Sequence, residues 1–480
     1  MRRAIELIVC AVLLAGAWLL PGVRHRLIHD ITTWDALPSP AAVLPEGRGP
    51  GLPAVRRVRV VLIDGLSQDT ARALPAYAGL CKRGIDLTVD VGFPTISLPV
   101  EAALWTGLTQ QQTGVVFRSD RPIEPPLSKS IPAQVPDSRA IAENHGYIVR
   151  SLGFHQVESD DPAWQQHAQD AVASDARLVF VHILRVDTAG HKHGHDSPEY
   201  RTAAGEADAI LAQLVAAAPD ARWFALSDHG HLPGGGHGGH ERSVRQVAGC
   251  IAGPGIAPER GVLVHVVDVA RALADSVGAT LDPASPARPM SVALAAPLGP
   301  DQAVPPIALG AAIIALFALV LGAMVSLLGM RPWWIAPWWF VVACASLVLV
   351  RGEPTMSTPM IYAPTGRAMY VTWLPALAIA FATTWFARSR TTLARGLVAQ
   401  LALPLGALAS AIIVTGAWRN LLGEEVAPIV PRFTAYLLPL LLIVAHGLAA
   451  VALAVLGRSV RSVYGRPSPT EPPRSEPAAG

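Results

Sequence analysis

The chain of 480 residues has little charge and no dominant sign. Only 15% of its residues are charged and the formal net charge is +2. No broad basic patch or aromatic–basic ladder is present, which argues against nucleic acid as a partner. Cysteine is scarce, with four residues, so the chain is not a disulfide-framed mini-domain. Cys10 and Cys344 lie in apolar runs; Cys81 and Cys250 lie in the polar-and-apolar middle, where nothing in their spacing decides whether they pair. No internal repeat is evident.

Long apolar runs are plentiful and concentrate at the two ends. Residues 5–23 follow Arg2 and Arg3, and no small-x-small cleavage site comes after them, so an uncleaved anchor is expected over residues 1–23. Five further runs, roughly 305–329, 333–350, 369–386, 397–416 and 434–456, are long enough to cross a bilayer. They predict a five-helix transmembrane domain over 301–457, followed by a Pro-, Ser- and Arg-rich disordered tail over 458–480. With six spans, Arg2 and Arg3, the loop with Arg388, Arg390 and Arg395, and the tail with Arg458, Arg461, Arg466 and Arg474 share one side. The excess of arginine makes that side the cytoplasm. Arg331 agrees; Arg367 and Arg419 fall on the opposite side, with Glu424 and Glu425. The Ala-, Arg-, Gly- and Pro-rich composition suggests a bacterium. The expectation is therefore a multi-pass protein of the inner membrane, with the bilayer as partner and the middle of the chain on the periplasmic face.

Residues 24–55 read as a linker, rich in Pro and Gly from 36 onward. An α/β domain is expected over 56–300. Val58-Arg59-Val60-Val61-Leu62-Ile63, Leu178 to Leu184 and Trp223-Phe224-Ala225-Leu226 are short apolar runs of the kind that form buried parallel strands, and residues 199–217 suit a helix between the last two. Each run leads into a carboxylate: Asp64, Asp187 and Asp228. Loops after strand C-termini converge on one edge of an open α/β sheet, where ligands bind.

Asp187 and His191 are four apart, so one turn brings both to one ion. Asp228 and His229 reach one ion if the chain bends after its strand. The Gly-rich run Pro233 to His240 adds a further ligand, with His237 and His240 both open. Mixed Asp/His ligation fits two divalent ions, Zn²⁺ first and Mn²⁺ second. In Phe93-Pro94-Thr95-Ile96-Ser97-Leu98-Pro99, Ser97 is the candidate nucleophile, at the start of a helix to Leu108 that tolerates Pro99 in its first turn. Unpaired N–H groups there favour an alkoxide or a phosphoryl group. Thr95 is the alternative.

The ordered stretches VVLIDGL, FPTISLP…WTG, VDTAGHKHG, SDHGH and GGHGG, with HDSPEY and IAGPG as weaker matches, resemble the alkaline phosphatase superfamily. The similarity is to its branch of nucleotide pyrophosphatase/phosphodiesterases and GPI ethanolamine phosphate transferases, and it spans about residues 56–280. It implies a central, mostly parallel sheet flanked by helices. It also implies one metal held by Asp64, Ser97, Asp228 and His229 and another by Asp187, His191 and His237. The family's nucleophile stands ten residues before the Gly of a Thr-Gly pair; Thr106-Gly107 then selects Ser97. The family's His-Gly-Gly order selects His237 and leaves His240 as a neighbour. The implied activity is phosphodiester hydrolysis or phosphoethanolamine-type transfer on a phosphate ester such as a phospholipid or a glycan. A membrane scaffold with a decayed site is the rival, and it would have lost ligands. Phosphodiesterases of the branch carry Asn, and the transferases often Arg, where Val100 stands here. The phosphate-contacting side chain is therefore absent or supplied from elsewhere. The HDSPEY stretch and the C-terminal apolar runs lean toward the transferases.

Overall fold

The computed structural model describes residues 2–32, 49–115, 122–239 and 241–298, with residues 452 and 456 beyond them. Eight strands form one sheet: β1 (Val58–Ile63), β2 (Ile85–Asp90), β3 (Arg139–Ala142), β4 (Gln156–Ser159), β5 (Leu178–Ile183), β6 (Arg222–Leu226), β7 (Gln246–Ala252) and β8 (Glu259–His265). Their order is β4-β3-β5-β1-β6-β7-β2-β8. All pairings are parallel except those of β7 with β6 and β2. The expected α/β, mostly parallel sheet is present.

Alternation along each strand divides the core. Val58, Val60 and Leu62 pack on one face with Phe180 and Trp105, and Val61 and Ile63 on the other with Val181 and Tyr200. Helices cover both faces, which is why β1, β5 and β6 are buried along their whole length. Arg59 lies buried in β1 because its guanidinium donates to the carbonyls of Val172, Ser174 and Ala176, at the end of helix Trp164–Ala173. Those carbonyls have no partner within the helix. The helix expected over 199–217 runs from Pro198 to Ala217, with the Ser197 side chain accepting from the Tyr200 N–H.

This topology decides where the carboxylates go. β1 sits between β5 and β6, with Ile63 opposite Ile183 and Leu62 opposite Leu226. All three strands point the same way, so Asp64, Asp187 and Asp228 emerge at one edge.

Cys81, in helix Pro75–Lys82, is joined to Cys250 of β7, with the Cα atoms 4.9 Å apart. The bond closes a long loop, 169 residues apart in sequence. Cys250→Ser is expected to lower unfolding stability by about 2–5 kcal/mol. Non-reducing peptide mapping should recover the linked Cys81 and Cys250 peptides; free thiols at both positions would contradict the pairing.

The apolar N-terminal run lies in a helix, Arg2–Thr32, which continues into the stretch read as linker. Ile5, Leu7, Ile8, Val12, Trp18 and Leu19 are exposed on it, and the Cys10 sulfur lies 3.5 Å from the Ala452 carbonyl. Among the described residues no helix is long and apolar enough to cross a membrane. The C-terminal runs and the tail lie outside the described residues, apart from residues 452 and 456.

Candidate metal centre

Asp64 is the first residue past β1, and its N–H donates to Ile183 O at 2.9 Å, continuing the ladder by one bond. The chain then turns at Gly65, whose φ is +71°. A side chain there would also meet Asp187 Cα and His231 Nε2, both 2.8 Å from an added Cβ. Glycine alone fits both demands. Gly65→Ala is expected to lower turnover about a hundredfold by displacing Asp187. A fully active variant would show that the close approach is dispensable.

Past β5, helix Arg185–His193 puts Asp187 and His191 one turn apart, with His191 Nε2 3.2 Å from Asp187 Oδ2. His237 arrives from the Gly-rich loop, its Nε2 3.2 Å from His191 Nε2 and 3.7 Å from Asp187 Oδ1. Past β6, the bend after Asp228 is real: His229 Nε2 lies 3.2 Å from Asp228 Oδ2 and 3.4 Å from Asp64 Oδ1. Among the described residues four groups are compact enough to hold one ion: Asp64–Asp228–His229, Asp187–His191–His237, Asp187–His229–His231 and Asp64–Glu101–His182. The first two bring together residues of the two expected sets, with Ser97 beside Asp64 and His229. His240 lies outside the described residues.

The orientation of the ligands fits a cation. The second ring nitrogens of His229 and His237 face carbonyl oxygens, Gly230 O at 3.1 Å and Thr95 O at 2.8 Å. Each Nδ1 therefore carries the proton, and each Nε2 turns a lone pair to the site. Asp228 Oδ1 accepts from the N–H groups of Gly65 and His229, at 3.1 and 3.0 Å. Asp228 Oδ2 is buried with no hydrogen-bond partner and points at His229 Nε2. A bare, buried carboxylate oxygen is costly unless a cation meets it.

The electrostatics agree. Burial, followed by the charges of Asp228, Asp187 and Glu101, drives the Asp64 carboxyl well above the usual range. Burial, with His229 and His191 adding to it, drives His237 well below the usual imidazole value. Burial also acts on Asp187, but His191 and His231 outweigh it and hold Asp187 well below the usual range. At His191 burial is outweighed by Asp187, which raises the imidazole; Asp64 pushed toward neutrality and His237 kept neutral are the donors whose missing charge is positive.

The two hydroxyl candidates separate clearly. Thr95 is fully buried, and its Oγ1 donates to Gly239 O at 2.9 Å and accepts from the Gly238 N–H at 2.8 Å. It anchors the Gly-rich loop. Ser97 is half-buried, with Oγ 3.3 Å from His229 Nε2 and 3.5 Å from Asp64 Oδ1. Ser97 opens helix Ser97–Thr106, and no side chain caps that end. Val100 is buried in the core, so position 100 offers nothing to a phosphate.

Three further residues of the site had no role assigned from the sequence. His231 Nε2 lies 3.0 Å from Asp187 Oδ1. His182 Nε2 lies 3.1 Å from Asp64 Oδ2 and 3.3 Å from Glu101 Oε1. The signal available for the last two was a single polar residue inside an otherwise apolar strand, LVFVHI, and an otherwise apolar helix, SLPVEAALWT. His231 was visible in SDHGH without a role.

Residues 132–240 match the family described as type I phosphodiesterase / nucleotide pyrophosphatase. That segment holds Asp187, His191, Asp228, His229 and His237; Asp64 and Ser97 precede it. That match agrees with the resemblance to the alkaline phosphatase superfamily read from the sequence. Solved structures similar to this chain include a putative sulfatase from Bacteroides thetaiotaomicron VPI-5482, at 15% identity, 52% of this chain, 76% of that one and TM-score 0.40. Murine ectonucleotide pyrophosphatase / phosphodiesterase 5 is 20% identical over 36% of this chain and 57% of its own, with TM-score 0.30. A protein in the alkaline phosphatase superfamily from Vibrio parahaemolyticus is 13% identical over 57% and 78%, with TM-score 0.36. No curated protein matches.

Proposed function

We propose that the protein is a metal-dependent phosphoric ester hydrolase in which Ser97 is the nucleophile, held in the membrane with this domain on the periplasmic side. The observation that carries the reading is Ser97 Oγ beside Asp64 and His229 at an uncapped helix end. Asp64, Asp228 and His229 would hold one divalent ion, with Ser97 as its fourth ligand, and Asp187, His191 and His237 the other. Zn²⁺ suits the Asp/His donors best and Mn²⁺ second. Such a pair, when bound, acidifies a nearby hydroxyl and balances charge on the attacking and departing oxygens.

The chain's own groups do the rest. The helix end directs the N–H groups of Ser97 and Leu98 toward an incoming phosphoryl group. Ser97 Oγ bonds to phosphorus as one alkoxy group of the diester departs and takes up a proton as the free alcohol, leaving Ser97 esterified to a phosphoryl group that keeps the second ester. Water then attacks that phosphorus and releases Ser97. An acceptor alcohol in place of water would make the same site a phosphoethanolamine-type transferase.

Membrane placement draws on the apolar runs and the distribution of arginine. The Cys81–Cys250 bond favours an oxidising compartment. On that placement a phospholipid is the first substrate to try. Mass spectrometry of the purified full chain incubated with phosphatidylethanolamine vesicles tests the reading. A phosphoethanolamine adduct on the Ser97 peptide is expected if diacylglycerol departs, or a phosphatidyl adduct if ethanolamine does. Free headgroup product from lipid alone means hydrolysis; product only with an added glycan or lipid alcohol means transfer. An adduct on another residue would refute the assignment of Ser97.

A further inference from the structure

We infer that His182, backed by Glu101, is a positioning residue for Asp64, fixing which carboxylate oxygen faces the Ser97 side of the metal centre. The inference rests on the two-ion reading above. It concerns two residues that neither ligand set contains.

His182 occupies β5 on the face it shares with Leu178 and Phe180, beneath helix Ser97–Thr106. An apolar side chain would be the ordinary occupant. Instead the imidazole is fully buried, and its Nε2 points between two equally buried carboxyls, Asp64 Oδ2 at 3.1 Å and Glu101 Oε1 at 3.3 Å. Its Nδ1 has no hydrogen-bond partner. A buried N–H aimed at nothing costs about 1–3 kcal/mol, so the ring proton sits on Nε2. Nε2–H then donates into the space between Asp64 and Glu101.

That hydrogen bond divides the work of the Asp64 carboxylate. Oδ2 is held by His182, while Oδ1 lies 3.4 Å from His229 Nε2 and 3.5 Å from Ser97 Oγ. A carboxylate free to rotate would present either oxygen; this one is restricted to one. Glu101 closes the arrangement. It stands one helical turn after Ser97, so the two share a helix face. The path from Ser97 through Asp64 and His182 to Glu101 thus returns to the helix that carries the hydroxyl. Neither Glu101 oxygen has a hydrogen-bond partner, and Oε1 lies 3.3 Å from His182 Nε2. Groups that orient metal ligands typically change metal affinity ten- to a hundredfold when removed.

Gln and Asn at position 182 separate positioning from packing. A Gln amide N–H reaches about as far as Nε2, whereas that of Asn stops near Nδ1. Both are polar and smaller than His, so both face similar folding demands. The full chain and its His182→Gln, His182→Asn and Glu101→Gln variants would be titrated with Zn²⁺ alone, and bound metal counted by elemental analysis.

The wild type should bind two ions. His182→Asn should weaken one of them ten- to a hundredfold and leave the other unchanged, with His182→Gln recovering most of the loss. Equal affinities for Gln, Asn and wild type would overturn the inference and leave the two-ion reading standing. A third equivalent of Zn²⁺ in the wild type, lost in Glu101→Gln, would also overturn it, because His182 would then be a ligand itself. A wild type that binds no Zn²⁺ would instead overturn the two-ion reading.

Discussion

Ser97→Ala is expected to reduce phosphodiester turnover by more than about a thousandfold while both ions stay bound. The hydroxyl is one contact among several around Asp64, Asp228 and His229, and those three remain as ligands in the variant. The alternative hydroxyl does not stand ready. Thr95, two residues earlier, is buried and committed to Gly238 and Gly239. Thr95→Val should accordingly loosen the Gly-rich loop and lower affinity for the ion held by His237, a different defect from loss of the nucleophile. Turnover of a chromogenic phosphodiester and elemental analysis on the same samples distinguish the two. Wild-type turnover by metal-replete Ser97→Ala would remove Ser97 from the chemistry.

Chelation should have an effect of similar size, and it carries a pH signature. Stripping divalent ions is expected to abolish turnover, with recovery on addition of Zn²⁺ or Mn²⁺. It should also leave Asp64 and Glu101 buried and uncompensated. Burial, reinforced by Asp228 in both cases, raises both carboxyls well above their usual values. A carboxyl with a raised folded-state pKa binds more protons folded than unfolded, so its contribution to stability falls as pH rises above the ordinary carboxylate range. Asp187 has the opposite sign: its depressed value means stability lost as pH falls toward acid. From about pH 5 to 6.5 Asp187 contributes no slope, while the imidazoles of His182, His231 and His237, lowered by burial, gain stability with pH and oppose the carboxyls; stripped protein should therefore lose thermal stability above about pH 7. Metal-loaded protein should lose much less, because a cation beside Asp64 stabilises its ionised form against the effect of burial. Asp64→Asn should make the stripped protein less pH-sensitive and weaken the Asp228–His229 ion. Equal pH profiles for stripped and loaded protein would contradict this electrostatic account.

What could be read before folding was the part of the site written as local pattern. Asp64, Asp187 and Asp228 each follow an apolar run, and parallel strands β1, β5 and β6 bring them to one edge. His191 was legible because four residues on a helix make one turn, and His229 because it adjoins Asp228. The choice of Ser97 over Thr95, and of His237 over its neighbour, needed either a family resemblance or coordinates. Spacing does not reveal that Thr95 Oγ1 is already engaged. His182 and Glu101 were hidden for a different reason. Each is one polar residue in an apolar element, and its meaning depends on what the opposite element brings to it. The antiparallel β7 and the Cys81–Cys250 bond were hidden likewise, because sheet order is a long-range property and cysteine spacing carries no pairing information.

The most direct test of the account is the metal content of active protein. Native mass spectrometry of the purified full chain, with turnover measured on the same preparation, should find two divalent ions per active molecule. It should find one after His237→Ala. A fully active chain carrying no divalent ion would contradict the account.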